Sequence, residues 1–146
     1  MNAIGRSTWK GSWKQGSGTI STESETLNYV PYTFASRFES APGASPEELL
    51  GAAHAGCFNQ ALANNFGMIG SEADFINTSV SIEFGDSIAG HPAITKSHIT
   101  VEATARNVSE EQFQHCAERA RTNCTISKLL KCDITMNASL VPAARG

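Results

Sequence analysis

Two of the four cysteines, Cys57 and Cys124, stand where a thiol could do chemistry. Cys57 follows His54 by three residues in the segment SPEELLGAAHAGCFNQAL, so the two side chains share one face of a predicted helix. Cys124 falls just inside the start of a later predicted helix capped by Asn123, where the helix dipole favours a thiolate. These features single out two thiols but do not say which reacts first. For Cys57, packing as a small buried hydrophobic residue is the alternative.

A reactive thiol needs a positively charged neighbour, because an ordinary cysteine is mostly protonated at neutral pH. Arg37, in the preceding segment PYTFASRFE, is the candidate, since a guanidinium does not lose its charge. Glu47 lies about 15 Å before Cys57 along a helix axis, so the two side chains cannot touch on one straight helix. Either the helix breaks between them, or Glu47 serves a neighbouring chain across a two-fold axis. Glu48 already fills the capping position of the helix, which leaves Glu47 free for other work.

The composition predicts a single globular α+β domain over residues 1–146. Hydrophobic residues make up 40% of the chain and charged residues 17%, and the net charge of −3 offers no basic patch to nucleic acid. The N-terminus lacks the apolar core of a secretory signal, and no apolar run approaches the roughly 20 residues of a membrane span. We therefore expect no nucleic-acid or membrane partner, and a cytoplasmic protein with reduced cysteines.

The predicted helices and strands determine where the candidate residues lie. The best-signalled helix begins at Ser45, and its Ala- and Gly-rich composition predicts burial around most of its circumference. Before it, 9–24 predicts a β-hairpin and 29–38 a short strand or extended loop. The later elements are predicted as antiparallel strands in 79–87 and 91–106 around a turn at 86–92, helices in 109–121 and 123–131, and a strand in 132–141.

A zinc site is an alternative use of the same residues, because His54 and Cys57 could join other cysteines as ligands. However, the chain has no C-x-x-C pair, and structural zinc sites usually draw on closely spaced ligands. We therefore expect no metal site. Cys116 and Cys132 have no cation placed by local geometry and are predicted to be packing thiols. Turn or strand-surface positions are predicted for Asp86, His91 and His98.

Four segments, in their order and spacing, resemble the OsmC/Ohr family of osmotically inducible and organic-hydroperoxide-resistance proteins: WKGSWKQGSGTISTES, PYTFASRFE, SPEELLGAAHAGCFNQAL and NCTISKLLK. The likeness spans nearly the whole chain. The position of Arg37 is similar to that in the OsmC branch, because the Ohr branch places its arginine nearer the N-terminus. The resemblance implies an OsmC-like α+β fold, in which an antiparallel sheet wraps around a buried central helix and two chains intertwine as a homodimer.

The same resemblance implies a peroxiredoxin-like enzyme that reduces organic hydroperoxides, and hydrogen peroxide more weakly, to alcohols. By this likeness Cys57 is the peroxidatic thiol that forms a sulfenic acid, and Cys124 is the resolving thiol that joins it in a disulfide. Arg37 and Glu47 then form the charged network that activates Cys57, with the sites at the dimer interface. An external dithiol, lipoyl-type or another thiol, reduces the disulfide, and no metal or organic cofactor is required. His54 is not a functional position in the family.

An organic hydroperoxide also needs an apolar wall, although each residue that could form one could equally belong to the core. The candidates are Phe38, Phe58, Phe66 and Met68. Asn59 and Gln60 follow Cys57 where apolar residues might be expected, which predicts more polar surroundings.

Two other functions remain open at this point. A non-catalytic thiol redox sensor, or a small-molecule-binding protein with the same fold, would use the same cysteines without multiple turnover. A cysteine hydrolase would use His54 as its base, but the sequence places no third residue to orient that histidine.

Overall fold

The computed structural model describes residues 1–85 and 90–142, which contain six strands and four helices. This mixture of helices and sheets confirms the α+β class. The chain separates into two compact units, Met1–Leu49 and Leu50–Gly146, and each is described by itself. No helix in the described part of the chain is long and apolar enough to cross a membrane. The turn predicted at 86–92 falls largely on residues outside the described ranges, and the single domain and the homodimer stay predictions.

The first unit contains a three-stranded antiparallel sheet. The strands β1 (Gly5–Lys10) and β2 (Ser17–Thr22) pair as the predicted hairpin, and β2 also pairs with β3 (Val30–Tyr32). Gly18 of β2 is enclosed by aromatic rings: an added Cβ would lie 2.6 Å from the Trp9 ring and 2.7 Å from the Tyr32 ring. A glycine at this position therefore lets both rings lie directly over the sheet.

A short helix, α1 (Phe34–Phe38), follows β3. The Thr33 side chain accepts a hydrogen bond from the Ser36 backbone N–H at 3.0 Å, and the Thr33 N–H donates to Ser36 Oγ at 2.8 Å. The extended structure predicted for 29–38 is therefore wrong beyond Tyr32, because this reciprocal capping pair starts a helical turn. Arg37 lies in the last turn of α1.

The long helix α2 (Pro46–Met68) is unbroken, which confirms the predicted helix and excludes a break between Glu47 and Cys57. The Ser45 hydroxyl accepts the Glu48 N–H at 3.3 Å, in the predicted capping position. The predicted burial around most of the helix is not met in the single chain. A stripe of uncharged residues, all but one of them Ala or Gly, is exposed along one face: Ala52, Gly56, Gln60, Ala63 and Gly67.

A second three-stranded sheet contains β4 (Ala73–Phe84), β5 (Ile94–Ala105) and β6 (Asp133–Leu140), in that order. β4 and β5 pair in antiparallel fashion as predicted, whereas β5 and β6 are parallel. The antiparallel sheet implied by the resemblance is thus wrong at this pair. The reason is that two helices connect β5 to β6, and a crossover of this kind returns a strand in the same direction.

The two connecting helices are α3 (Glu110–Asn123) and α4 (Thr125–Leu129). Ser109 caps α3 through the predicted S-x-x-Q capping box. The prediction that Asn123 caps the last helix is wrong, because Asn123 still belongs to α3. Cys124 itself occupies the cap position, and its sulfur takes the place of the usual capping oxygen.

The core of the second unit is formed where α2, β5 and α3 pack together. Burying a large apolar side chain contributes about 1.5–3 kcal/mol to stability, so this cluster holds the three elements in place. Its largest fully buried apolar residues are Phe58, Leu62, Phe66, Ile99, Val101 and Phe113.

Candidate active site

Cys57 and Cys124 line the same cavity, which has a volume of about 270 Å³. Both cysteines are free; Cys57 is half-buried, and Cys124 is only 3% exposed. The Cys57 side chain is close enough to Cys124 to raise the pKa of its thiol. The structure therefore brings together the two thiols that the sequence singles out. This space, called the thiol cavity below, is completed by Gln60, Ala61, Asn123 and Thr125.

The surroundings of Cys124 favour a protonated thiol. Its Sγ donates to Ser127 Oγ at 3.0 Å, and the Ser127 backbone N–H donates to Sγ at 3.5 Å. Burial raises the pKa of the Cys124 thiol, the Ser127 hydrogen bonds lower it, and Cys57 raises it, with a net rise above the ordinary value. The helix dipole, which favours a thiolate at Cys124, is thus outweighed by desolvation, because α4 is a single turn.

His54 is fully buried, and both of its ring nitrogens contact serine hydroxyls. Nδ1 lies 2.8 Å from Ser97 Oγ, and Nε2 lies 2.7 Å from Ser127 Oγ. Burial lowers the pKa of His54, so the imidazole is neutral at pH 7. A chain of hydrogen bonds through Ser97, His54 and Ser127 leads to Cys124 and is called the serine–histidine chain below. The sequence reasoning missed both serines, although the C-x-x-S spacing after Cys124 was a usable signal for Ser127.

Arg37 and Glu47 form an ion pair in the first unit, with Arg37 Nη2 2.5 Å from Glu47 Oε1. The Glu47 side chain is 8% exposed and that of Arg37 is 30% exposed, so the pair is partly shielded from water. The Ser45 hydroxyl donates to the second Glu47 oxygen at 3.3 Å, and the guanidinium lies 4.7 Å from the centre of the Phe38 ring. Arg37 Nε is buried without a hydrogen-bond partner among the described residues, so it could still donate to a ligand.

Arg37 also borders an aromatic cavity of about 410 Å³ in the first unit. Its rings are held by mutual contacts, with Trp13 and Phe34 packed edge to face at a centroid distance of 5.0 Å. These aromatic residues were not predicted as a site from the sequence, although the two tryptophans Trp9 and Trp13, close together in one segment, were a usable signal. The aromatic cavity is lined by Trp9, Gly11, Trp13, Tyr32, Phe34 and Arg37.

The residues predicted to form an apolar wall fall in different places. Phe58 and Phe66 are fully buried in the core of the second unit, so the structure favours packing for both. Phe38 lies in the first unit and packs against Phe34, with the ring centroids 5.0 Å apart. Met68 is 60% exposed and lines a separate cavity of about 350 Å³.

The polar residues that follow Cys57 have separate environments. Gln60 lines the thiol cavity, which makes part of its wall polar. Asn59 donates from Nδ2 to the Ile76 carbonyl oxygen at 3.4 Å, and its Oδ1 is buried without a partner in the described structure.

The other residues weighed as ligands are dispersed. Within residues 1–85 and 90–142, no group of three or more His, Cys, Asp or Glu side chains is placed to hold a metal ion. Cys116 lies in the core and Cys132 is half-buried. His98 is on β5, where it hydrogen-bonds to side chains of β6, and His91 is exposed. Asp86 lies outside the described residues.

Comparison with known proteins connects this arrangement to one family. Residues 39–139 match the family described as OsmC-like protein. The chain is 39% identical over 136 residues to Peroxiredoxin OsmC of Escherichia coli (strain K12), covering 93% of this chain and 94% of the relative.

Solved structures support the same fold at lower identity. The OsmC like protein from Mycoplasma pneumoniae has a TM-score of 0.74 at 14% identity, over 97% of this chain and 98% of the other. The organic hydroperoxide resistance protein OhrB of Bacillus subtilis has a TM-score of 0.67 at 20% identity, over 94% and 98% of the two chains. Together with the match over residues 39–139, these similarities show that the chain belongs to the OsmC-like protein family.

Proposed function

We propose that this protein is a thiol-dependent peroxidase that reduces organic hydroperoxides, and hydrogen peroxide more weakly, to alcohols. The observation that carries the proposal is the pairing of free Cys57 and Cys124 in one cavity, in a chain 39% identical to Peroxiredoxin OsmC. The cycle needs both thiols in reduced form, which fits the cytoplasmic location expected from the sequence.

In the first step, the Cys57 thiolate attacks the distal oxygen of the hydroperoxide. A sulfur–oxygen bond forms as the oxygen–oxygen bond breaks, which leaves a sulfenic acid on Cys57 and releases an alkoxide that becomes the alcohol. Arg37 is suited to stabilise both anions, because Glu47 orients its guanidinium and its buried Nε is unpaired among the described residues. Arg37 would thus both activate the thiol and orient the peroxide.

We assign the Arg37–Glu47 pair to the Cys57 of a second chain in a homodimer. The continuous helix α2 separates Glu47 from Cys57 of its own chain by about 15 Å along its axis. The exposed stripe on α2, which is uncharged and mostly Ala and Gly, would allow close approach of the same helix from another chain. With two such helices antiparallel across a two-fold axis, Glu47 of each chain approaches Cys57 of the other.

In the second step, Cys124 attacks the Cys57 sulfenic acid, and the two sulfurs form a disulfide as water leaves. The raised pKa of Cys124 supports this assignment, because a thiol that stays protonated is the poorer first nucleophile. An external dithiol, lipoyl-type or another thiol, then reduces the disulfide by exchange.

For the organic part of the substrate, we assign the aromatic cavity beside Arg37. Its apolar rings offer a surface for an alkyl or aryl group, while Arg37 lies on the same lining. Phe58 and Phe66 are left to the core, and Phe38 supports Arg37 through its ring face.

The test is steady-state consumption of tert-butyl hydroperoxide and cumene hydroperoxide with excess dithiol. We expect multiple turnovers in the wild type, none in Cys57→Ser, and accumulation of sulfenic or over-oxidised Cys57 in Cys124→Ser. Cys132→Ser is the matched control, because this half-buried cysteine does not line the thiol cavity. Turnover that survives in Cys57→Ser would refute the assignment.

A thiol redox sensor is the second candidate, because a pair of adjacent free cysteines would also serve a protein that oxidises only once. The sensor would consume one equivalent of peroxide and stop with every dithiol supplied. The hydrolase alternative loses support, although Ser97 supplies the orienting residue that the sequence did not place. Both nitrogens of His54 are engaged by serine hydroxyls, so neither is left to act as the base for Cys57.

A further inference from the structure

The serine–histidine chain leads to Cys124 through buried hydrogen bonds, and the catalytic cycle described above does not use it. The chain runs from Ser97 on β5 through His54 on α2 and Ser127 on α4 to the Cys124 sulfur. The distances are 2.8 Å from Ser97 Oγ to His54 Nδ1, 2.7 Å from His54 Nε2 to Ser127 Oγ, and 3.0 Å from Ser127 Oγ to the sulfur. His54 and Ser97 are fully buried and Ser127 is 6% exposed, so the hydrogen bonds are shielded from water.

The direction of these hydrogen bonds follows from a neutral His54. A neutral imidazole donates from one ring nitrogen and accepts at the other. With Cys124 donating its S–H to Ser127 Oγ, the Ser127 hydroxyl proton is free to point at His54 Nε2. Nδ1 of the imidazole then donates to Ser97 Oγ. In this arrangement the proton of the Cys124 thiol already lies on a path to Nε2.

The Ser127 hydroxyl is not needed merely to hold the sulfur. The backbone N–H of the same residue reaches Cys124 Sγ at 3.5 Å and would anchor it alone. Unlike an N–H group, however, a hydroxyl can accept the thiol proton and pass on its own. This difference suggests a role in proton movement.

We propose that His54 is a positioning residue for the resolving step, and that it takes, through the Ser127 hydroxyl, the proton that Cys124 loses on attacking the Cys57 sulfenic acid. This inference rests on the proposed function, because it assigns roles within the same cycle.

The atoms and electrons of the step balance. A lone pair of the Cys124 sulfur forms the disulfide bond as the sulfur–oxygen bond on Cys57 breaks, so Cys124 is oxidised and the sulfenic sulfur is reduced. The thiol proton moves to Ser127 as the Ser127 proton moves to Nε2 of His54. The oxygen leaves as hydroxide and takes up a proton to become water, and the imidazolium gives up the proton it received, so that His54 returns to its neutral form. No net proton is gained or lost.

The protonation states of the groups in and around the serine–histidine chain support a proton transfer that occurs as the disulfide forms. Burial lowers the pKa of His54 and raises that of Cys124, so the resting thiol keeps its proton. As the disulfide bond forms, the attacking sulfur becomes far more acidic, and a weak base is then sufficient. Cys57 on α2 is the titratable group that faces Cys124, while Ser97 and Ser127 face His54 from β5 and α4. The other side chains that line the thiol cavity are uncharged.

The test separates the two chemical steps in the full-length protein. Reduced protein is mixed with one equivalent of tert-butyl hydroperoxide and quenched with dimedone at set times, and mass spectrometry counts the sulfenic acid and the disulfide. In Ser127→Ala and His54→Gln, we expect conversion of sulfenic acid to disulfide to slow roughly 10- to 100-fold, at the low end of general-base effects. Ser127→Thr, which retains a hydroxyl, should recover most of this loss. Circular dichroism confirms folding, and the Ser127 variants carry the test if His54→Gln does not fold.

A pH profile distinguishes proton transfer from loss of packing. With an internal acceptor, the conversion rate of the wild type should change little between about pH 6 and 8. In Ser127→Ala and His54→Gln the thiol must ionise to solvent below its raised pKa, so the rate should climb about tenfold per pH unit. His98→Gln is the matched control, because this half-buried histidine lies on β5 next to Ser97 but hydrogen-bonds to side chains of β6, so the variant should retain the wild-type profile.

A wild-type rate in Ser127→Ala, or equal slowing in Ser127→Thr and Ser127→Ala with no change in pH profile, would overturn the inference. If no sulfenic acid forms even in the wild type, the proposed function fails instead. The serine–histidine chain is then tested in the Cys57→Ser variant. Iodoacetamide alkylates Cys124 at a series of pH values, and the rates give the midpoint of its ionisation. Adding Ser127→Ala should raise the midpoint, because the thiolate form of Cys124 then loses the Ser127 hydroxyl, whose hydrogen bond lowers the pKa of Cys124, and an unchanged midpoint would refute the inference.

Discussion

Cys124 and His54 illustrate how burial sets protonation in this protein. Burial raises the pKa of the thiol and lowers that of the imidazole, because in each case the charged form loses contact with water. The resting pair is therefore uncharged. A protonated Cys124 supports the proposed order of reaction, in which Cys57 acts first.

The buried imidazole should make stability depend on pH. Because the pKa of His54 is lower in the folded state, the unfolded chain binds a proton first as the pH falls. The contribution of His54 is complete above about pH 6.5 and is lost towards its lowered pKa, by at most about 1.4 kcal/mol per pH unit. Urea denaturation at about pH 7.5 and about pH 5.5 measures this change in the free energy of unfolding.

Two variants control this measurement. His54→Gln should flatten the pH dependence over this range, and His98→Gln should retain it. Glu118, whose pKa is lowered by its hydrogen bond to Arg121, affects stability only near and below its ordinary value of 4.5. A wild-type slope in His54→Gln would assign the effect to another group.

Arg37 should matter more for activity than its exposure suggests. We expect Arg37→Ala to lower kcat/KM for tert-butyl hydroperoxide roughly 100-fold or more, because the proposed mechanism uses this charge to stabilise the developing anions. Arg37→Lys should recover only part, since an ammonium lacks the planar fork that can bind Glu47 and a second group together. Arg6→Ala breaks an exposed ion pair with Glu23 and should have no such effect. Equal losses in Arg6→Ala and Arg37→Ala would contradict the assigned role.

At the scale of elements, local signals in the sequence were sufficient to locate a helix where its capping residue and its hydrophobic periodicity agreed. Ser45 and Ser109 mark the starts of α2 and α3 as predicted, because their side chains accept backbone N–H groups. The signals failed at α1, where Thr33 and Ser36 form a capping pair in a segment rich in strand formers and prolines. They failed again at Cys124, because a cysteine is an unusual cap.

The position of Phe66 on α2 gives an element-scale prediction. Its ring is fully buried, with its centroid 6.3 Å from that of Phe113 on α3. We expect Phe66→Ala to lower the free energy of unfolding by about 3–5 kcal/mol, because it leaves a cavity between two helices. Met68→Ala, at an exposed position on the same helix, should change it by less than about 0.5 kcal/mol. Urea denaturation compares the two variants, and equal effects would contradict a core position for Phe66.

At the scale of the whole molecule, the candidate groups divide between the two units. Arg37 and Glu47 belong to the first unit, and Cys57 and Cys124 to the second. The sequence was enough to propose these four residues as candidates, because each belongs to a segment that resembles the family. It could not identify Ser97, which lies far from His54 in the sequence and has no motif of its own.

The assignment of Arg37 across a dimer predicts complementation between inactive chains. A heterodimer of one Arg37→Ala chain and one Cys57→Ser chain, co-expressed with two different tags, should contain one intact site. We therefore expect about half the wild-type activity per dimer from this heterodimer, and almost none from either parent homodimer. If Arg37 instead served its own chain, both sites of the heterodimer would be defective and no activity would return.

The central claim is that Cys57 and Cys124 form the redox couple. The most direct measurement is peptide mass mapping after reduced wild-type protein receives one equivalent of tert-butyl hydroperoxide. We expect one peptide that links Cys57 to Cys124, one alcohol released per link, and Cys116 and Cys132 still reduced. A link through Cys116 or Cys132, or four reduced cysteines with the peroxide unconsumed, would contradict this account.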